Sequence, residues 1–177
     1  MTVDSNFPDT LPLLPLKELV IYPTMILPFV VGRERSISSV LDVDPANKLI
    51  FTACQKLAEE DHPTPDTIHH TGTICKVLQM IRLKDGTFKL LVEGLERATI
   101  KEYVDRTSHL SVNYQVQKSI DDTNGENSAY VKIIKEEFEH YLEFNPQLSH
   151  ERGASVNNLQ NLGHITDIIA SILTVET

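Results

Sequence analysis

Gly72-Thr-Ile-Cys-Lys-Val-Leu-Gln-Met-Ile-Arg-Leu-Lys-Asp-Gly-Thr-Phe-Lys-Leu-Leu-Val-Glu-Gly-Leu-Glu-Arg-Ala-Thr-Ile100 is two long apolar-rich runs joined at Asp85-Gly86. That dipeptide accepts the positive φ angles of a tight hairpin turn. A two-residue loop sets Lys84 opposite Thr87, Leu83 opposite Phe88, Ile81 opposite Leu90 and Gln79 opposite Val92. Near the tip, one face then collects Ile81, Leu83, Phe88 and Leu90, and the other Arg82, Lys84, Thr87 and Lys89. Farther back, Leu78, Met80 and Leu91 make the second face apolar as well. A ribbon that is apolar on both faces is either covered on both or meets a partner. Gly94, inside the second arm, predicts a bulge or bend of the kind that curls a sheet towards a barrel.

The flanking segments extend this β core. Residues 1–10 read as a loose tail. Leu11 to Leu16 is apolar but carries Pro12 and Pro15, which suits an edge strand. Leu19 to Tyr22 and Met25 to Val31 read as two further strands around a short apolar loop, Tyr22-Pro23-Thr24-Met25. A helix is predicted over Glu34 to Leu41 with Ile37, Val40 and Leu41 inward, and a strand over Leu49 to Cys54. Residues 55–71 read as loop with one helical turn near Asp66 to Ile68. His109 to Gln117 alternates through Leu110, Val112, Tyr114 and Val116 as a half-buried closing strand.

The composition changes at Ser119 to Ser128, which is polar, acidic and contains Gly125; it reads as a linker or mobile loop. Beyond it the period becomes helical. Ser128 caps a helix reaching Phe144 with Tyr130, Val131, Ile134, Phe138, Tyr141 and Leu142 on one face, stopped by Asn145-Pro146. Leu159, Leu162, Ile165, Ile168, Ile169 and Ile172 mark a last helix. The expected organisation is an α+β chain: tail 1–10, β-rich part 11–118, linker 119–128 and helical part 129–177.

Composition narrows the function. In 177 residues, 41% are hydrophobic, enough for a core, and 25 acidic against 16 basic side chains give a net charge of −9. That balance argues against nucleic acid as the main partner, because phosphate contacts need a basic footprint. The first ten residues are polar and acidic, unlike a secretory signal, and no run approaches the ~20 apolar residues of a membrane-spanning helix. Cys54 and Cys75 lie in predicted strands without Cys-x-x-Cys spacing, which reads as buried reduced thiols of a cytoplasmic protein.

No catalytic constellation is visible. None of the seven glycines precedes a lysine, so no phosphate loop is present, and neither Gly-x-Gly-x-x-Gly nor Gly-x-Ser-x-Gly occurs. The seven histidines form no His-Glu-x-x-His, and His69 and His70 point to opposite sides of an extended chain, so they read as surface residues. Neither cofactor nor metal is expected in this chain. Arg33, Glu34 and Arg35 follow a very apolar strand; they are either a solvated helix start or a charged rim able to contact a peptide. The Tyr22 to Met25 loop is likewise open to two placements, tucked into the core or exposed.

Three segments resemble the N-terminal substrate-binding domain of the Lon proteases: Leu14 to Ile37, Gly72 to Met80, and Asp85-Gly86-Thr87 leading into Leu91 to Ala98. They lie in the family's order and spacing, and Ile165 to Ala170 resembles it more loosely. Thr24 departs from the glycine common at that position. The resemblance implies a PUA-like β pseudo-barrel followed by helices, and a non-catalytic part of an ATP-dependent Ser–Lys protease. ATP and Mg would belong to an ATPase module that this chain lacks. The implied partners are unfolded or damaged proteins and other subunits of a homo-oligomer, with no membrane. Candidate substrate contacts are Tyr22, Pro23, Thr24, Met25, Arg33, Glu34, Arg35, Leu78, Met80 and Leu91. A free-standing adaptor is the alternative, separated by whether an ATPase follows in the gene. A PUA-like RNA binder is disfavoured by the charge.

Overall fold

Strand residues that are apolar on both sides call for cover on both sides. The sheet supplies it for the strands at Thr10–Leu16 and Leu49–Cys54, and leaves one face of the strand at Ile26–Val31 and of the hairpin open. The computed structural model describes residues 7–117, 125–145, 148 and 156–173. The chain divides after Gln117 into two units. In the first lie β1 (Thr10–Leu16), β2 (Ile26–Val31), α1 (Glu34–Leu41), β3 (Leu49–Cys54), a 3₁₀ turn (Pro65–Thr67), β4 (Thr71–Arg82), β5 (Phe88–Asp105) and β6 (Leu110–Val116). The strand order is β2-β5-β4-β3-β1-β6, and β6 pairs back onto β5. Five strands therefore close on themselves, and β2 is left at an edge.

β5 makes closure possible by serving two neighbours in turn. Ile26 to Val31 pair with Glu93 to Phe88, while Ala98 to Asp105 pair with Val116 to Leu110. Between these halves Cys75 faces Gly94 and Ile74 faces Glu96, so Leu95 is an extra residue, the bulge expected beside Gly94. Odd and even residues of β1 and β3 enter different cores. Leu11, Leu13, Phe51 and Ala53 pack with Ile74, Ile100 and Val112; Leu14, Leu16 and Ile50 pack with Val40, Val77, Phe88, Leu90 and Val92.

Several expectations are corrected. The hairpin loop has three residues, not two. Leu83 N–H donates to Thr87 O (2.8 Å), Gly86 N–H donates to Leu83 O (3.1 Å), and Gly86 has φ 87°. This is a turn closed by a glycine bulge, and it moves the register by one: Arg82 faces Phe88, Met80 faces Leu90 and Gln79 faces Leu91. A one-residue shift exchanges faces, so Ile81 and Leu83 stand exposed while Phe88 and Leu90 are buried. Leu78 is the extra residue of a second irregularity, between Val77 and Gln79.

β1 is not an edge strand. β6 flanks it at Thr10 to Pro12 and β3 at Leu13 to Leu16, so each proline lies where one side has no paired neighbour and a missing N–H is tolerated. Leu19 to Tyr22 form no strand. Residues 7–10 are tied down rather than loose, with Phe7 on the first core and Tyr114 Oη donating to Pro8 O; residues 1–6 lie outside the described residues. In α1 the buried face is Ser36, Ser39 and Val40, with Leu41 exposed. His109 is buried, its Nε2 3.2 Å from Asp42, rather than on the surface.

The second unit contains α2 (Gly125–Phe144) and α3 (Leu162–Ile172). α2 begins inside the segment expected as linker, whose residues 119–124 lie outside the described residues. Val131 and Phe138 pack with Val156, Ile165 and Ile172, whereas Tyr130, placed inward by the sequence reading, is exposed. Asn161 caps α3 by accepting from His164 N–H at 3.0 Å. No helix among the described residues is long and apolar enough to cross a membrane.

Candidate functional site

The loop before β2 is built by one proline and one close approach. Met25 N–H donates to Tyr22 O (3.2 Å), which closes a turn over Pro23-Thr24 with Thr24 at φ 69°. Position i+2 of such a turn favours glycine; a β-branched residue there carries a strain of roughly 1–2 kcal/mol. Thr24 therefore adopts the left-handed conformation that glycine would favour. Two bonds tie the loop to β5: Thr24 N–H to Gly94 O (2.8 Å) and Gly94 N–H to Met25 O (2.9 Å).

The structure places the loop's side chains unequally. Met25 packs onto the second core and its sulfur receives Tyr22 N–H at 3.3 Å. Tyr22 and Pro23 are half-buried, and Thr24 is exposed. Arg33 turns inward. Its guanidinium donates to Gln55 Oε1, Glu60 O and Pro15 O, pinning β1 to the 55–60 loop. Burial lowers its pKa, while nearby Asp61 acts in the opposite direction. Glu34 and Arg35 stay exposed, with Arg35 3.6 Å from Asp105.

The sheet register assembles a surface that single residues do not announce. Across β2, β5 and β4 the outward rows are Val30–Lys89–Ile81, Pro28–Leu91–Gln79 and Ile26–Glu93–Lys76. Ile26 and Val30 are each 59% exposed and Ile81 44%. Five apolar side chains thus form a contiguous face dotted with Lys76, Lys89 and Glu93. Leu91 belongs to it. Met80 pairs in the row of Leu90 and Phe29, on the other side of the sheet, and exposed Leu78 lies in the irregularity. Sequence reading missed Ile26, Pro28, Val30 and Ile81, although the run Ile26 to Val31 contains no polar residue and so had to be apolar on both sides.

Neither cysteine is in a disulfide. Burial pushes the Cys75 thiol up to about 12, opposed by a hydrogen bond with Thr52, so it packs as a small apolar group. No group of His, Cys, Asp or Glu able to hold a metal occurs among the described residues.

The profile of the ATP-dependent protease La (LON) substrate-binding domain matches residues 10–177. The chain belongs to that family. The Lon proteases of Endomicrobium trichonymphae and Buchnera aphidicola subsp. Baizongia pistaciae are 36% and 38% identical to it, over 97% and 90% of the chain. The match covers 21% and 20% of those relatives, so the chain spans about a fifth of their length. The fold matches the N-terminal domain of Mycobacterium avium complex Lon protease at TM-score 0.71 and 21% identity, covering 93% of this chain and 84% of that one. The Xanthomonas campestris Lon N-terminal domain protein matches at TM-score 0.51 and 18% identity, over 72% of each chain. As a Lon substrate-binding domain, the chain holds its apolar outer face on a strand pair fixed by the same glycines, Gly86 and Gly94, that set the sheet register.

Proposed function

We propose that this Lon substrate-binding domain captures exposed apolar segments of unfolded or damaged proteins, using the outer face of β2, β5 and β4. The protease body it serves is an ATP-dependent Ser–Lys endopeptidase of the cytoplasm, with ATP and Mg held in its own ATPase module. The observation that carries the reading is the exposure of Ile26, Val30 and Ile81 in register beside Pro28 and Leu91. Isolated exposed apolar side chains are ordinary, but contiguous ones mark contact surfaces. Tyr22, Pro23 and Thr24 border the entry to β2 and extend the face, and exposed Leu78, in the β4 irregularity, adds apolar area beside it. Met80 lies on the other side of the sheet and is not part of this face.

Burying a whole large apolar side chain contributes roughly 1.5–3 kcal/mol, and ordering a flexible peptide consumes much of the sum. One domain therefore binds weakly, and a homo-oligomer gains by presenting several copies.

The test is a Val30→Ser/Ile81→Ser double variant titrated with a permanently unfolded, fluorescently labelled casein. Each side chain is about half exposed, so each has about 1 kcal/mol to give, and affinity should fall at least about tenfold. Stability should shift by no more than about 0.5 kcal/mol per site. Unchanged affinity would remove the outer face from the reading.

A further inference from the structure

The outer face is apolar, yet three charges stand on it, and their surroundings differ. Glu93 and Lys76 are directly opposed on β5 and β4, so each has an opposite charge across the strand pair. Lys89 has none. It faces Val30 on one side and Ile81 on the other, and the next outward side chain along β5 is Leu91. The diagonal positions are Pro28 and Gln79, and β2 carries no charged residue at all. Among the described residues Lys89 makes no ion pair. The other charges of the hairpin tip are placed elsewhere. Arg82 lies over the Phe88 ring on the opposite side of the sheet, and the Asp85 carboxylate is engaged by Thr87 within the turn.

Exposed to water, such a lysine is an ordinary surface residue. Its setting changes once a chain segment covers Val30, Ile81 and Leu91. The ammonium then loses water on the covered side, and burying a charge without a partner is unfavourable. A carboxylate in the segment restores a partner, whereas a second ammonium adds repulsion. Such unpaired and like charges act as selection against the wrong partner. The net charge of −9 opposes acidic segments at a distance. Exposed charges farther apart than roughly 8–10 Å are largely screened at physiological ionic strength, so the contact decides.

Spacing fixes where the carboxylate belongs. Lys89 and Leu91 are two positions apart on one strand, roughly 6.4–6.8 Å, and an extended segment repeats its own same-side side chains at that interval. We propose that Lys89 sorts the segments captured on the outer face. It favours apolar stretches that carry Asp or Glu two positions from an apolar residue and disfavours those with Lys or Arg there. This rests on the capture reading and adds a sequence preference to it.

The experiment titrates the ¹⁵N-labelled chain with acetyl-Gly-Phe-Ser-Asp-Ser-Leu-Gly amide and with the same peptide carrying Asn or Lys in place of Asp. The amides of Ile81 and Lys89 report occupancy. An exposed ion pair changes affinity by up to about fivefold, so the Asp peptide should bind about threefold tighter than the Asn peptide and about tenfold tighter than the Lys peptide. Lys89→Glu should reverse the order of the Asp and Lys peptides. Lys101→Glu changes the net charge equally, within the half of β5 that pairs with β6, and should leave the order as it is. Raising salt from about 20 mM to about 500 mM should bring the three affinities together. Val30→Ser/Ile81→Ser should weaken all three peptides; if it weakens none, the outer face is lost and this inference with it. If it weakens all three while the Asp and Lys peptides bind the unaltered chain equally, capture stands and sorting by Lys89 is refuted. An unchanged order in Lys89→Glu refutes it as well.

Discussion

A single methyl group at Gly94 tests how the edge strand is held. A Cβ built there lies 2.2 Å from Tyr22 O and 3.2 Å from Ile21 Cγ2. The nearer atom is main chain in a turn closed by Met25 N–H, so no side-chain rotation relieves the overlap. For Gly94→Ala the loop must move away from β5, and the bonds Thr24 N–H to Gly94 O and Gly94 N–H to Met25 O are broken or stretched. Each is worth about 1 kcal/mol net, and forcing extra volume into packed structure costs roughly 1–3 kcal/mol more. The expected loss is about 3–5 kcal/mol, a large share of the roughly 5–15 kcal/mol that stabilises a domain.

The chain contains no tryptophan, so urea unfolding is followed by circular dichroism, with hydrogen exchange at Thr24 reporting the loop directly. Gly32→Ala is the control: its Cβ would meet only Thr87 Cγ2 at 3.4 Å, an ordinary contact. A loss below about 1 kcal/mol for Gly94→Ala, with Thr24 still protected, would refute the reasoning. It would mean that β2 is anchored by its own pairing and not through this approach.

Met25→Ser should lower stability by about 1–3 kcal/mol, because Met25 packs on the second core; urea titration checks this, and a neutral result would put its side chain in solvent as a substrate contact. Cys75 gives a pH dependence of known sign. Its folded pKa is raised from 9.0 to about 12 by burial, so above pH ~9 the unfolded chain loses the proton first. Stability from this group is intact below pH ~9 and declines by about 1.4 kcal/mol per pH unit up to ~12. Cys75→Val should remove that part of the slope in urea midpoints measured from pH 8 to 11.

Much of the fold was legible because its signals are local. Asp85-Gly86 marked the hairpin, the helical period marked α2 and α3, and Pro23 marked the turn before β2. What the sequence did not carry was a choice between near-equal local options. Two- and three-residue loops both suit Asp85-Gly86, and only main-chain bonding at Leu83 decides between them. That one-residue difference moved Ile81 off the face it was expected to share with Phe88 and Leu90 and hid the outer face. Pro12 and Pro15 looked like edge markers because β1's change of neighbour part-way along its length is a property of topology. Arg33 looked like a rim residue because its acceptors are 18 to 27 positions away.

The same register explains how an apolar edge strand stays usable for binding without becoming a template for aggregation. Gly94 N–H donates to Met25 O, and hydrogen-bonded pairs alternate along antiparallel strands. Leu27, Phe29 and Val31 therefore bond to β5, while the main-chain groups of Ile26, Pro28 and Val30 face the open edge. Pro28 stands in the middle of that edge and has no N–H to offer, so an incoming strand finds its ladder interrupted. The side chains of Ile26 and Val30 remain exposed on the adjoining face. β2 thus offers side-chain contact and withholds strand pairing. Under the proposed function, this is the difference between reversible holding and co-aggregation.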